Sequence, residues 1–113
     1  MLIKDSDSLT NILESILKVE NYTSSFQDAD TFMEDSRSFD AVLMNFIVIG
    51  EMVAKLSDDF KNRHFEIEWW KIKGLRNIVA HDYFGVDAEE IWQIIHYKLP
   101  ALKSFVQLLL KQT

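Results

Sequence analysis

The stretch SFDAVLMNFIVIGEMVAKL, residues 38–56, decides the fold that the sequence predicts. Apolar side chains recur in it at the spacing of one face of an α-helix: Phe39, Val42, Phe46, Ile49, Val53 and Leu56. Four more apolar residues cover much of the remaining helix surface: Leu43, Met44, Ile47 and Val48. A helix that is apolar almost all round is either central in its domain or partly buried by a second chain. We therefore predict a central helix here and a symmetric homodimer.

Three residues interrupt the apolar character of the middle of this helix. Gly50 lies in its interior, where glycine is about 1 kcal/mol less favourable than alanine. The ordinary reason for such a glycine is the close passage of another helix, which we therefore predict. Asn45 and Glu51 are polar, and the sequence leaves open whether they face solvent or have a specific role.

The remaining chain also has helical patterns, and no segment alternates with period two over the length of a strand. We predict one domain over residues 1–113, an all-α bundle of four or five helices. In the first part of the chain, a helix is expected to be opened by Asp5, Ser6 or Asp7 and closed near Thr23, and a short turn to be capped by Thr31 and Glu34. After the central helix, a connecting loop is expected over 57–68, followed by a helix that starts at Trp69 and ends at Gly85. Two more helices are expected to follow, one opened by Asp87 and Glu90 and a last one with Pro100 in its first turn.

Composition limits the function classes. The chain has no cysteine, so neither disulfides nor thiolate metal sites are expected. It shows no signal-peptide pattern at its start and no apolar run near the ~20 residues of a membrane span, which predicts a cytoplasmic protein without membrane contact. The net charge of −6 is unevenly distributed, because residues 61–83 hold five basic and three acidic residues, a local net charge of +2.

That basic region contains RNIVAHDY, residues 76–83, which places Arg76, Asn77, His81 and Tyr83 within eight positions. On a helix, Asn77 and His81 share a face, and Arg76 aligns with Tyr83 to within about 20°. Arg76 and His81 are about 140° apart, so they converge only if the helix loosens near its end or if each faces a shared cleft from its own side. Position near a helix C-terminus favours the charged imidazolium of His81. Taken alone, the spacing is also compatible with a histidine that merely caps helix carbonyls.

Other chemistry finds less support. The three histidines lack the spacing of metal ligands, so no metal site is predicted. The sequence has no glycine-rich phosphate loop and no nucleophile elbow. The pair Trp69-Trp70 is interpreted as core or interface and not as a platform for stacking bases.

The combined motifs resemble the HepT-like toxins of the HEPN superfamily (higher eukaryotes and prokaryotes nucleotide-binding). The matching elements are R-x4-H-x-Y from Arg76 to Tyr83, N-x-x-x-x-G-E from Asn45 to Glu51, and L-P-x-L from Leu99 to Leu102. The likeness extends from about residue 30 to the C-terminus. One departure is Glu66-Ile67-Glu68 before Trp69, where the family usually has a proline.

The resemblance implies a metal-independent endoribonuclease without a cofactor, the toxin of a type VII-like toxin–antitoxin system. In that case Arg76 and His81 are catalytic, Asn77 supports them, and the substrate is RNA, with tRNA and mRNA both open. It also implies a homodimer, and a partner, the cognate minimal nucleotidyltransferase antitoxin, that silences the toxin by adenylylating Tyr83. Two alternatives remain: a HEPN module that binds a nucleotide or serves a nucleotidyltransferase without cleaving RNA, and a helical dimer in which RNIVAHDY is structural.

Overall fold

A computed structural model describes residues 1–81 and 85–112 of the chain, and these ranges contain helices and no strand. The all-α prediction is thus confirmed. The helices are α1 (Ile3–Thr23), α2 (Ala29–Glu34), α3 (Ser36–Lys55), α4 (Asp58–Arg63), α5 (Trp69–Lys73), α6 (Leu75–His81), α7 (Ala88–Gln93) and α8 (Leu99–Lys111), with a π-helical segment (Ile94–Lys98) between the last two. Within the described ranges, no helix is long and apolar enough to cross a membrane.

Helix α3 is the centre of the bundle, as the sequence predicts. It packs most extensively against α1 and also against α2, α5 and α6. Its predicted stripe faces the core, where Val42, Phe46 and Ile49 are fully buried. The opposite side is less covered, because Ile47 and Val48 are only partly buried and Met44 remains 59% exposed. Part of the apolar surface of α3 is therefore not buried within one chain.

The start of α1 differs from the prediction. The helix begins at Ile3, and Asp5 is an interior helix residue that is 1% exposed. Its carboxylate accepts hydrogen bonds from the backbone N–H and the hydroxyl of Ser57, both at 2.7 Å. Asp5 therefore does not open α1 but ties it to the junction between α3 and α4. The predicted end near Thr23 is confirmed.

The cap of α2 is also different from the predicted pair of Thr31 and Glu34. The helix begins at Ala29, and Asp28 caps it by accepting hydrogen bonds from the backbone N–H and the hydroxyl of Thr31, both at 2.8 Å. The hydrogen bond from the Thr31 backbone, followed by that from its hydroxyl, lowers the pKa of Asp28. Asp28 precedes Thr31 by three positions, and Thr31 precedes Glu34 by three positions. Both pairs have the spacing of an N-cap, so the sequence alone does not tell them apart.

The prediction of a loop over residues 57–68 is wrong for its first half, which forms α4. The hydroxyl of Ser57 caps this helix by accepting from the N–H of Phe60 at 3.2 Å, and Phe60 is buried. The indole N–H of Trp69 donates to the carbonyl of His64 at 3.0 Å and so closes the following turn. Six residues with one apolar side chain show no periodicity, so the tertiary contacts of Phe60 decide this helix.

The last two predicted helices are present, but the chain between them stays helical. Asp87 caps α7 by accepting from the N–H of Glu89 at 2.9 Å, as expected of an opening residue. Pro100 lies in the first turn of α8, as predicted. Proline has no N–H and its ring crowds the carbonyl four residues earlier in an α-helix. The π-helical segment meets this constraint, since the N–H of Leu99 donates to the carbonyl of Ile94, five residues earlier.

Candidate functional site

The helix predicted to start at Trp69 does so, but it is interrupted at Gly74. The break separates α5 from α6, and α6 carries Arg76, Asn77 and His81. Leu75 and Val79 of α6 are buried. The buried stripe fixes α6 against α3 and leaves Arg76 and Asn77 at the surface of the bundle.

Gly50 is the point where α3 meets the start of α6. A Cβ built on Gly50 would lie 2.9 Å from the carbonyl oxygen of Lys73, 3.0 Å from the Cβ of Arg76 and 3.2 Å from the backbone nitrogen of Arg76. Real Cβ atoms essentially never approach a neighbour within 3.0 Å, so only glycine fits without displacement. The predicted close passage of another helix is confirmed, and it seats the backbone of Arg76 directly on α3.

The residue after Gly50 holds the side chain of Arg76. A guanidinium nitrogen of Arg76 donates to the carboxylate of Glu51 at 2.9 Å, with side chains 32% and 48% exposed. This charge-assisted hydrogen bond orients the guanidinium while leaving both groups accessible to water. Glu51 thus faces solvent and also has a specific partner. The sequence analysis did not place Glu51 in the site. Its position next to Gly50, where the close passage of another helix was predicted, could have indicated that role.

Asn45, the other polar residue of α3, has a local role. It is 8% exposed, and its amide donates to the carbonyl of Ala41, one turn earlier in the same helix, at 2.8 Å. Solvent exposure, one of the two alternatives for this residue, is therefore wrong.

Asn77 points away from Arg76. Adjacent residues of an α-helix are about 100° apart, and whereas Arg76 contacts α3, the exposed Asn77 lines a groove of about 760 Å³ on the side of α7 and α8. The structure therefore does not bring these two predicted site residues together on one surface. Glu90 and Lys98 line the same groove.

His81 is the last described residue of α6, which is an α-helix up to that point. A loosening of the helix before His81, one of the two predicted routes to convergence, is thus not present, and the offset of about 140° from Arg76 stands. By helix position His81 shares the face of Asn77. The side chain of His81 and the whole of Tyr83 lie outside the described residues.

The described part of the chain contains no group of three histidine or acidic residues placed to hold a metal ion. Two ion pairs lie around α5 and α6, Lys71 with Glu68 and Arg76 with Glu51, both at 2.9 Å. The chemistry available on α6 is therefore that of the Arg76 guanidinium, held by Glu51, and of the imidazole that His81 supplies.

Comparison with known proteins gives consistent matches along most of the chain. A family model described as "Ribonuclease HepT-like" matches residues 12–109. The "Probable ribonuclease HepT" of Thermococcus cleftensis is 34% identical over 98 residues, covering 87% of this chain and 88% of that protein. A protein of Methanocaldococcus jannaschii named "Putative RNase" is 35% identical over 92 residues, covering 81% of this chain and 75% of its own length. No solved structure matched the chain.

Proposed function

The chain belongs to the HepT-like ribonuclease family, and on this premise we propose that it is a metal-independent endoribonuclease in which Arg76 and His81 act on the scissile phosphate. The observation that carries the proposal is the fixed position of Arg76. Its backbone rests on Gly50 and its guanidinium is held by Glu51 at 2.9 Å, on the helix that also carries His81. A cation held in place before substrate arrives stabilises developing charge without reorganisation.

The proposed reaction uses the substrate's own 2′-hydroxyl as nucleophile. Its oxygen forms a bond to the adjacent phosphorus, the bond from phosphorus to the 5′-oxygen breaks, and the products carry a 2′,3′-cyclic phosphate and a 5′-hydroxyl. One group must take the 2′-hydroxyl proton, a second must protonate the leaving 5′-oxygen, and a cation must stabilise the phosphorane. His81 serves as acid or base, and Arg76 holds the phosphate through its fork of N–H donors. Asn77 supports His81, whose helix face it shares.

A homodimer is part of this proposal, because one motif supplies only one imidazole. The partly unused side of α3 offers an interface: Met44 is 59% exposed, and Ile47 and Val48 are partly buried. Helix spacing places these residues on the same side of α3 as Glu51. A second copy seated on this side would therefore lie next to the Arg76–Glu51 pair and bring two motifs towards one cleft.

We further propose that the chain is the toxin of a toxin–antitoxin pair and that a minimal nucleotidyltransferase silences it by adenylylating Tyr83. Tyr83 follows Arg76 by seven residues, close to two helical turns. Each transferred AMP adds a negative phosphodiester, which would occupy the guanidinium of Arg76 and repel an RNA backbone. The attached nucleoside would also fill part of the cleft.

The decisive experiment incubates the purified chain with single-stranded RNA, with and without EDTA, beside the His81→Ala variant. We expect cleavage that survives EDTA, products with 2′,3′-cyclic phosphate ends, and no cleavage by His81→Ala at unchanged helical content. Cleavage that EDTA abolishes would reject the metal-independent mechanism. RNA or nucleotide binding without any cleavage would identify the non-catalytic HEPN module instead.

A further inference from the structure

A second groove, of about 410 Å³, lies between the end of α3, α4 and α5, on the other side of Trp70 from the groove of Asn77. Two aromatic side chains that line it are open to solvent, since Phe65 is 80% and Trp70 is 69% exposed. Of the two interpretations of Trp69-Trp70, core or interface, core is confirmed for Trp69, which is 6% exposed, and only interface remains for Trp70. Exposed aromatic rings that cluster beside a concave surface are typical of an interaction site.

The groove also carries unpaired positive charge. Lys61 and Lys73 line it, and neither has a carboxylate within 4.0 Å among residues 1–81 and 85–112. Nearby cations differ in this respect, because Arg63 pairs with Asp59 at 3.1 Å and Lys71 with Glu68 at 2.9 Å. The acidic residue that lines the groove, Glu68, is thus neutralised by Lys71, and the lysines leave a net positive lining.

This groove adjoins the candidate catalytic residue. The carbonyl oxygen of Lys73 and the Cβ of Arg76 converge on the same point of α3, at 2.9 and 3.0 Å from a Cβ built on Gly50. Lys73, which lines the groove, thus has its backbone beside that of Arg76, so a strand held in the groove would lie near the candidate catalytic residue.

We propose that this groove binds a single-stranded segment of the RNA substrate next to the scissile phosphate, an inference that rests on the proposed ribonuclease function. Lys61 and Lys73 bind backbone phosphates, and Phe65 and Trp70 stack on unpaired bases. Aromatic stacking combined with backbone cations is the general mode of single-strand binding. One face of the Trp70 ring is already covered by the ammonium group of Lys71, 5.3 Å from the ring centroid, which leaves the opposite face for a base.

The same features disfavour two other occupants. Double-stranded RNA keeps its bases stacked inside the helix, so it offers nothing to the rings of Phe65 and Trp70. A second copy of the chain would bury two lysines, a residue type that is depleted in protein interfaces. Single-stranded RNA satisfies both the rings and the charges.

The test measures binding without cleavage, using a fluorescent single-stranded RNA in which every 2′-hydroxyl is methylated and so cannot attack. Fluorescence anisotropy should show about tenfold weaker binding for Trp70→Ala, as expected for loss of one stacked base. Lys73→Ala and Lys61→Ala should each lower the slope of log affinity against log salt by about 0.7, the value for one phosphate contact in a single strand. A duplex of the same sequence should bind more weakly than the single strand.

Two matched variants serve as controls. Arg63→Ala removes a cation of the same helix as Lys61 that is already paired, and Tyr97→Ala removes a ring that is 73% exposed in the other groove. Both should leave affinity and salt slope unchanged, and circular dichroism should confirm that every variant keeps its helices.

The outcomes separate this inference from the ribonuclease proposal. If Trp70→Ala and Lys73→Ala bind the methylated RNA with wild-type affinity while natural RNA is still cleaved, the groove does not bind RNA, and the ribonuclease proposal is unaffected. Weakened binding in these variants, with no cleavage of natural RNA by the wild-type chain, would support the groove and reject the proposed catalysis. A change in oligomer mass with Trp70→Ala and no change in RNA affinity would assign the groove to a second copy and overturn the inference.

Discussion

The guanidinium of Arg76 is held 2.9 Å from the carboxylate of Glu51, so that α6 and α3 share an ion pair across 25 residues of sequence. Both side chains are partly exposed, and pairs of this kind contribute about 0–1 kcal/mol to stability. Orientation is the larger consequence, because the pair sets the direction in which the remaining guanidinium donors point. A phosphate that binds Arg76 must approach beside a carboxylate.

The first prediction concerns that carboxylate. Glu51→Gln removes the negative charge but keeps an oxygen that accepts from Arg76, so we expect a lower KM for RNA with little change in kcat. Glu51→Ala removes the acceptor as well, so we expect kcat to fall because the guanidinium is no longer oriented. Steady-state cleavage of a short RNA separates the two parameters. Identical kinetics for both variants would contradict a positioning role.

The second prediction concerns Arg76 itself. Arg76→Ala retains the Cβ that rests on Gly50, so the helix contact survives and the change removes only the guanidinium. We expect kcat to fall by at least about 100-fold, as for other groups that stabilise developing charge. Arg76→Lys keeps the charge but loses the planar fork of donors, and should retain part of the activity. The proposal is rejected if Arg76→Ala cleaves RNA at the wild-type rate.

The third prediction tests the contact between α3 and α6. Gly50→Ala gains about 1 kcal/mol in helix propensity, but its Cβ would lie 2.9 Å from the backbone carbonyl of Lys73. Overpacking of this kind costs about 1–3 kcal/mol, so we expect a lower free energy of unfolding in urea together with reduced cleavage. Gly74→Ala, whose nearest neighbour would be 3.2 Å away, should be better tolerated. A more stable and fully active Gly50→Ala protein would disprove this account.

The fourth prediction concerns assembly. Sedimentation at micromolar concentration should show a homodimer, and Met44→Glu should convert it to a monomer by placing a charge on the partly unused side of α3. RNA cleavage should be lost with the dimer, because two motifs are proposed to share a cleft. The matched control is Met33→Glu on α2, which is 49% exposed and should leave the mass unchanged. A wild-type monomer would refute both the dimer and the shared cleft.

The fifth prediction concerns control of the proposed toxin. Co-expression with its nucleotidyltransferase should add adenylyl mass to the peptide that contains Tyr83 and should suppress RNA cleavage. Tyr83→Phe keeps the ring but has no hydroxyl to modify, so the partner should fail to neutralise it. Mass spectrometry of the purified chain and growth measurements provide the two readouts. Suppressed toxicity without added mass would indicate inhibition by complex formation.

The central helix and the existence of a close contact at Gly50 follow from the sequence. Apolar periodicity over residues 38–56 is long enough to be unambiguous, and a glycine in a helix interior has few explanations. The family motifs likewise select Arg76, His81 and Tyr83 as the candidate site residues without any coordinates. Short elements were less predictable: α4 was expected to be a loop, because its six residues carry only Phe60 as a buried apolar side chain.

The sequence by itself thus determined the helical class, the central position of α3 and the residues of the motif, since periodicity and local spacing encode them directly. Only the tertiary structure decided that Asp5 binds Ser57, that Glu51 holds Arg76 and that Trp70 is exposed beside Lys73. The physical reason is the distance along the chain over which each effect acts. Helix propensity and amphipathicity act within a few turns, whereas the partner of a charged or aromatic side chain is set by which helices pack together, and that packing depends on the whole bundle.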